Sequence, residues 1–215
     1  TPREIILSLI DGTEAGAGPM QAADIAVLSM LPPDRRQTAA AELAKLGFLK
    51  RSGSRYSIIA WTPFEILDHL AVAGALLSLA AYQIALNPSP TKVAPLRIIN
   101  DAIKALNVKN ATNLFEGAWL DFLFHRETVR QSGNAAAWAI YEPSIPAAVW
   151  LAGANYYHSE DASASITAHD RIIQYMEDGD ALRARDAMAF HMEDAIAGLK
   201  RAAAADFRSY ESEGG

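Results

Sequence analysis

The chain has no cysteine among its 215 residues. Disulfides, thiolate metal sites and cysteine nucleophiles are therefore excluded, and a reducing compartment suits it. Long apolar runs are also missing. The longest extends from Leu70 to Leu86 and is broken by Gly74, Ser78 and Gln83. A membrane span needs about 20 apolar residues. The run therefore reads as a buried core helix, and no membrane partner is expected. No charged stretch precedes an apolar one at the start, so no secretory leader is expected either. These features point to the cytoplasm. An overall excess of positive charge is absent too, since the net charge is −6. The balance is uneven, however. Residues 1–60 hold 7 Lys and Arg against 6 Asp and Glu, while residues 61–215 hold 12 against 19. The relatively basic N-terminal part is where a nucleic-acid contact is expected.

What is present favours helix. Hydrophobic residues make up 51% of the chain, and many are Ala and Leu, both strong helix formers. The length allows one large domain or two small ones. The N-terminal part suggests three short helices and a hairpin. Ile5, Leu9 and Ile10 form one helical face, ended by Asp11-Gly12. Ala22 to Leu31 reads as a second helix, stopped by Pro32-Pro33. A third begins near Asp34, buries Leu43 and Leu46, and ends at Gly47. The segment FLKRSGSRYSII then alternates around Ser52-Gly53-Ser54, a hairpin signal. This order is that of a winged helix-turn-helix, expected over residues 1–61. In that fold the third helix enters the major groove and the wing touches backbone. Arg35, Arg36 and Gln37 would open the recognition helix and face base edges. Lys50, Arg51 and Arg55 on the wing would meet phosphates. Ordinary solvated charge is the competing reading of all six.

Residues 62–210 read as an all-helical bundle of six to seven helices. Segments near 63–86, 91–106, 110–132, 135–156, 163–177 and 180–208 are separated by stretches rich in turn formers. The whole chain is thus expected to be mainly α. Within the bundle, Asp121 and His125 are four residues apart, so on a helix they share a face. His169 and His191 follow well downstream, each in an amphipathic stretch. Three imidazoles and one carboxylate converging in a bundle would suit a divalent transition metal such as zinc or nickel. His69 and His158 read as non-ligands. Trp119, Phe122, Phe124 and Tyr156 read as core. Arg126 has three readings: a support for the ligands, a clamp for a carboxylate, or a surface charge.

Several of these residues together resemble a known family. Asp121 to Arg126, Ser132-Gly133-Asn134, His169 with Gly179-Asp180, and Ala187-Met188 with His191 are similar, in that order, to the FCD ligand-binding domain. That domain occurs in FadR-subfamily GntR transcription regulators. The N-terminal part resembles the GntR winged helix through Leu9, Gly12, Gly18, Asp24-Ile25-Ala26, Leu43 and Gly47. The resemblance implies a homodimer that binds operator DNA and is not an enzyme. It also implies the metal set Asp121, His125, His169 and His191, with a small carboxylate effector. Two departures stand out. PPDRRQT replaces the family's usual entry to the recognition helix, and Gln37 falls where the family places an Arg. Ala73, Gly74 and Leu77 replace polar residues of the first helix of the domain.

Two other functions fit the same residues. Histidine ligands with an open position can activate water, as in a metal-dependent hydrolase. Against it, no separate general base accompanies the ligands, and Glu127 points elsewhere on its helix. The other is an effector-binding module without DNA binding.

Overall fold

The computed structural model describes residues 18–106, 111–156 and 162–204. The expected first helix around Ile5, Leu9 and Ile10 lies outside these residues. So do His158 and the C-terminal tail. The described chain is mainly helical, as expected from its composition.

The N-terminal unit comprises α1 (Ala26–Ser29), α2 (Pro33–Lys45), β1 (Leu49–Ser52) and β2 (Arg55–Ile58). The second helix is shorter than the 22–31 span expected. Residues 21–24 instead form a turn, with the Asp24 N–H donating to the Gln21 carbonyl at 2.9 Å. Ile25 is extended (φ −72°, ψ 117°) and so cannot continue a helix back from Ala26. Pro33 opens α2, where its missing N–H costs no bond. Asp34 in the first turn and Lys45 in the last match the helix dipole. Ala40 and Leu43 face inward. They join Ile25, Leu28, Phe48, Leu49 and Tyr56 in one small core. The hairpin pairs Leu49 with Ile58 and Ser52 with Arg55. Met20 extends it by exchanging two backbone bonds with Tyr56, both 2.9 Å.

Gly47 joins this unit to the rest. Its φ is +80°, and a Cβ there would sit 2.3 Å from the Cβ of Pro146. Only glycine fits both the turn and the approach. Around it, the Trp61 indole donates to the Gly47 carbonyl (3.1 Å) and the Ala148 N–H to the Leu46 carbonyl (3.0 Å).

The bundle is formed by α3 (Pro63–Leu86), α4 (Pro90–Ala105), α5 (Ala111–Gln131), α6 (Ala135–Ser144), α7 (Ala147–Tyr156), α8 (Ala162–Glu177) and α9 (Ala181–Ala202). A capping box starts α3: the Thr62 hydroxyl accepts the Glu65 N–H, and the Glu65 carboxylate accepts the Thr62 N–H. By length and composition α3 could cross a membrane. Its Ile66, Leu70, Ala73, Leu77, Ala80 and Ile84 are instead buried among the other helices. α9 packs along α3. The approach is close at Gly74, where a Cβ would come 3.3 Å from that of Met192. Ala73, Gly74 and Leu77 thus serve helix packing.

One expected helix is two. The span 135–156 breaks at Ile145 (φ −119°, ψ 76°). Pro146 disfavours helical geometry in the residue before it and cannot donate to the preceding turn. The break lets α7 turn away from α6. α7 then contributes Ala148 and Leu151 to the N-terminal core, while Val149, Trp150 and Ala152 enter the bundle core.

Candidate metal centre

Three helices bring Asp121, His125, His169 and His191 together. On α8 the buried positions are His169, Ile172, Ile173 and Met176. Their spacing of three and four is one helical face, and His169 occupies a position that packing assigns to the core. On α9, Ala184, Met188, His191, Met192 and Leu199 form the corresponding face. α5 supplies Asp121 and His125 from consecutive turns. His125 and His169 are fully buried, and Asp121 is 25% exposed. One ligand atom from each of the four lies within 4.8 Å of the others. This is the one such group among the described residues.

The hydrogen bonds around the rings fix their chemistry. His125 Nδ1 lies 2.8 Å from the Asp121 main-chain carbonyl, which can only accept. Nδ1 therefore carries the proton and Nε2 a free lone pair. His169 Nδ1 lies 3.2 Å from Asn100 Oδ1. The amide nitrogen of Asn100 is committed to Asp170 Oδ1 at 2.9 Å, so its oxygen must face His169. Both free Nε2 atoms point at His191 Nε2, at 3.0 and 3.1 Å. His191 can offer a proton to only one of them. Asp121 Oδ1 lies 3.5 Å from His169 Nε2, and Trp150 Nε1 donates to Asp121 Oδ2 at 2.6 Å. With metal–nitrogen bonds of about 2.1 Å, neighbouring ligands at right-angle to tetrahedral positions lie roughly 3.0–3.4 Å apart. The donor set suits a divalent transition ion, and the two contacts to His191 Nε2 match that spacing.

Electrostatics agree. Burial pushes His125 and His191 down to about 4, against an ordinary 6.5. Burial holds His169 well below its ordinary value, with His191 and His125 adding to the effect. The imidazoles are therefore neutral near pH 7, as metal ligands must be. Burial raises Asp121, while His191 and the Trp150 indole oppose the rise. Beside the centre is a cavity of about 130 Å³, with Asp121 and His191 on its wall.

The FCD domain model matches residues 68–194, which include all four residues. The chain belongs to the FCD domain family. FCD-domain regulators of the GntR type are transcription factors and not enzymes. No curated protein matches the chain. Solved structures share its fold at low identity. Escherichia coli McbR/YncC is 14% identical, with a TM-score of 0.61 over 93% of this chain and 94% of that one. Lar of Listeria monocytogenes, which controls expression of the agr system there, is 12% identical with a TM-score of 0.66, over 93% and 96%. A GntR-family transcriptional regulator of Pseudomonas syringae is 12% identical with a TM-score of 0.52, over 98% and 86%.

Other residues of this FCD-domain protein are placed less uniformly. Arg126 is not among the described residues lining the cavity; it pairs with Glu142 and lies 5.1 Å over the Trp138 ring. Glu127 is tied to Arg130. His69 is half-buried beside Trp61 and bonds the Glu65 carbonyl of its own helix. Phe122 and Phe124 are buried core, and Phe124 also stacks on His169 at 3.9 Å. Trp119 is partly buried against both cores. The Tyr156 side chain lies outside the described residues. In the N-terminal unit, Arg35 and Lys50 are exposed. Arg51 bonds the Gly53 carbonyl (2.9 Å) and Arg55 the Pro19 carbonyl (3.2 Å), both at the surface. Gln37 donates to the Tyr56 hydroxyl at 3.0 Å. Arg36 is half-buried and donates to the carbonyls of Leu31 and Ser29, so it holds the turn between α1 and α2.

Asn100 and Trp150 escaped the sequence reading. Asn100 did leave a signal, as one polar position on the otherwise apolar face of Val93, Leu96 and Ile103. Trp150 left none.

Proposed function

We propose that this protein is a DNA-binding transcription regulator whose helical domain holds a divalent transition metal, zinc or nickel, through Asp121, His125, His169 and His191. The convergence of three Nε2 atoms, two of them committed lone pairs, carries this reading. When bound, the metal supplies a Lewis-acidic positive charge at the edge of the cavity, where a small carboxylate effector would bind. Asn100 and the Asp121 carbonyl orient two of the imidazoles, and Trp150 orients the carboxylate. The winged helix would bind operator DNA in the cytoplasm. Arg35 and Gln37 would sit at the entry to the recognition helix, with Lys50, Arg51 and Arg55 on the wing meeting phosphates. Arg36 is engaged inside the unit and is the weakest of the six as a DNA contact.

The operator-bound form would be a homodimer. Val72, Leu79 and Leu86, seven residues apart on α3, are 47%, 41% and 52% exposed. That apolar stripe supports self-association.

The test is a selection of purified metal-loaded protein against a random duplex library, run beside metal analysis. An enriched inverted repeat whose binding responds to chelation is the expected result. Enrichment indifferent to chelator and to carboxylates would sink the sensor reading. A metal-binding protein that enriches nothing would be an effector module without DNA binding.

A further inference from the structure

We infer that the cavity selects a monocarboxylate with an apolar body about the size of a benzene ring, seated with its carboxylate at the metal centre. The inference rests on the metal reading proposed above and adds the class of ligand. Size comes first. The cavity is about 130 Å³, and an apolar cavity of about 150 Å³ is known to take up benzene. A ligand body of that bulk fits within the walls.

The walls decide polarity. The lining is mainly apolar, with Leu70, Ile103, Val149, Trp150, Met192 and Leu199 among its residues. Asp121 and His191 enter from the metal side, and Ser165 is the other polar side chain with a hydroxyl to offer. The Trp150 N–H is already spent on Asp121. No Lys or Arg is among the described lining residues. A hydroxylated or doubly charged chain would leave buried polar groups without partners, at a cost that an apolar chain avoids.

Charge gives the same answer independently. Three neutral imidazoles and one carboxylate leave a divalent ion with one uncompensated positive charge. A monoanion cancels it. A dianion would bury a second negative charge against hydrocarbon, with no Lys or Arg among the described lining residues to meet it.

The full-length chain loaded with Co(II) tests this, because the visible bands of cobalt change when an oxygen donor joins its ligands. Acetate, butanoate, hexanoate, benzoate, succinate and lactate are titrated in turn. Affinity is expected to rise about fourfold per buried methylene until the cavity fills. Succinate should bind at least tenfold more weakly than butanoate, which has the same number of carbons. With cobalt bound, a flat series or a preference for succinate overturns the inference and leaves the metal reading standing. Failure to take up cobalt removes the charge, and both fall together. Ala195→Leu, one turn beyond His191 and on the cavity wall, separates size from chemistry. It should keep cobalt and acetate while losing hexanoate and benzoate by tenfold or more. Unchanged hexanoate binding in that variant would place the ligand elsewhere and overturn the assignment.

Discussion

At the scale of single residues, the candidate centre depends on groups outside the four ligand positions. Asn100 is fully buried and is the sole partner shown for His169 Nδ1. Its amide is held by Asp170, which Lys104 in turn pairs at 2.6 Å. Asn100→Leu removes the acceptor and frees the ring to turn or change tautomer. Such partners typically contribute 10- to 100-fold in metal affinity, so a loss of that size is expected in a zinc competition assay; unchanged affinity would mean that packing by Phe124 alone orients His169. His169→Ala should cost more, lowering both bound metal and the melting temperature, because a metal that binds only the folded state stabilises it. Unaltered stoichiometry would remove His169 from the ligand set. Acid should act on the metal-free protein in a defined direction. His125 and His191 have folded values near 4 against an ordinary 6.5. Between those values the unfolded chain binds protons that the folded chain refuses, so stability is full above about 6.5 and falls as pH drops toward 4. Denaturation of the chelated protein across that window checks this, and a flat profile would mean the imidazoles are not buried.

At the scale of elements, chemistry at the helix ends was the most legible part. Ser132-Gly133-Asn134 ends α5 and caps α6, with Asn134 Oδ1 accepting the Ala137 N–H at 3.0 Å. Asp180 caps α9 in the same way, accepting the Arg183 N–H at 3.2 Å. These are local bonds, so local sequence reveals them. Asp121 and His125 stood out because their spacing puts them on one helical face, and the full set of four came from the resemblance to the FCD domain. Long-range facts were not legible. His169 and Asn100 are far apart in the chain yet bonded in the fold, and no periodicity links them. The break between α6 and α7 shows a different failure. Pro143 and Pro146 were visible, but Ala, Trp and Leu continued an apolar pattern across them. Gly47 shows how one element limits another. Its turn alone would tolerate Asn, but the ring of Pro146 leaves no room for any Cβ. Gly47→Ala adds backbone strain to a steric clash and should cost about 2 kcal/mol or more. Thermal denaturation would show it, together with faster proteolysis near 47 and 146. A loss no larger than that of an ordinary surface substitution, about 0.5 kcal/mol, would mean that the two units are not in contact there.

At the scale of the whole molecule, α7 is a described helix with fully packed residues in both cores, and α5 reaches the small core as well through Phe115, Ala118 and Trp119. Ala148 and Leu151 pack with Ile25, Leu28 and Tyr56 of the winged helix, while Trp150 holds Asp121 and lines the cavity. A short path therefore joins the centre to the N-terminal unit: Asp121, the Trp150 indole, then the opposite face of the same two turns of helix. Coupling between sites is a free-energy difference of typically about 1–3 kcal/mol, and a single hydrogen bond to a charged group is worth about that much. Trp150→Phe keeps an aromatic ring on the cavity wall and removes the N–H that reaches Asp121. If this bond carries the coupling, the variant should bind zinc about 10-fold more weakly, as for other such partners, yet at saturating zinc lose most of the change in operator affinity that chelation produces. The quantity to compare is the ratio of operator affinities with and without zinc, in parent and variant. An unchanged ratio would exclude the indole as the link and leave the α3–α9 pair, with its exposed stripe, as the route through a dimer. A collapse of zinc binding itself would instead show that Trp150 serves the centre alone.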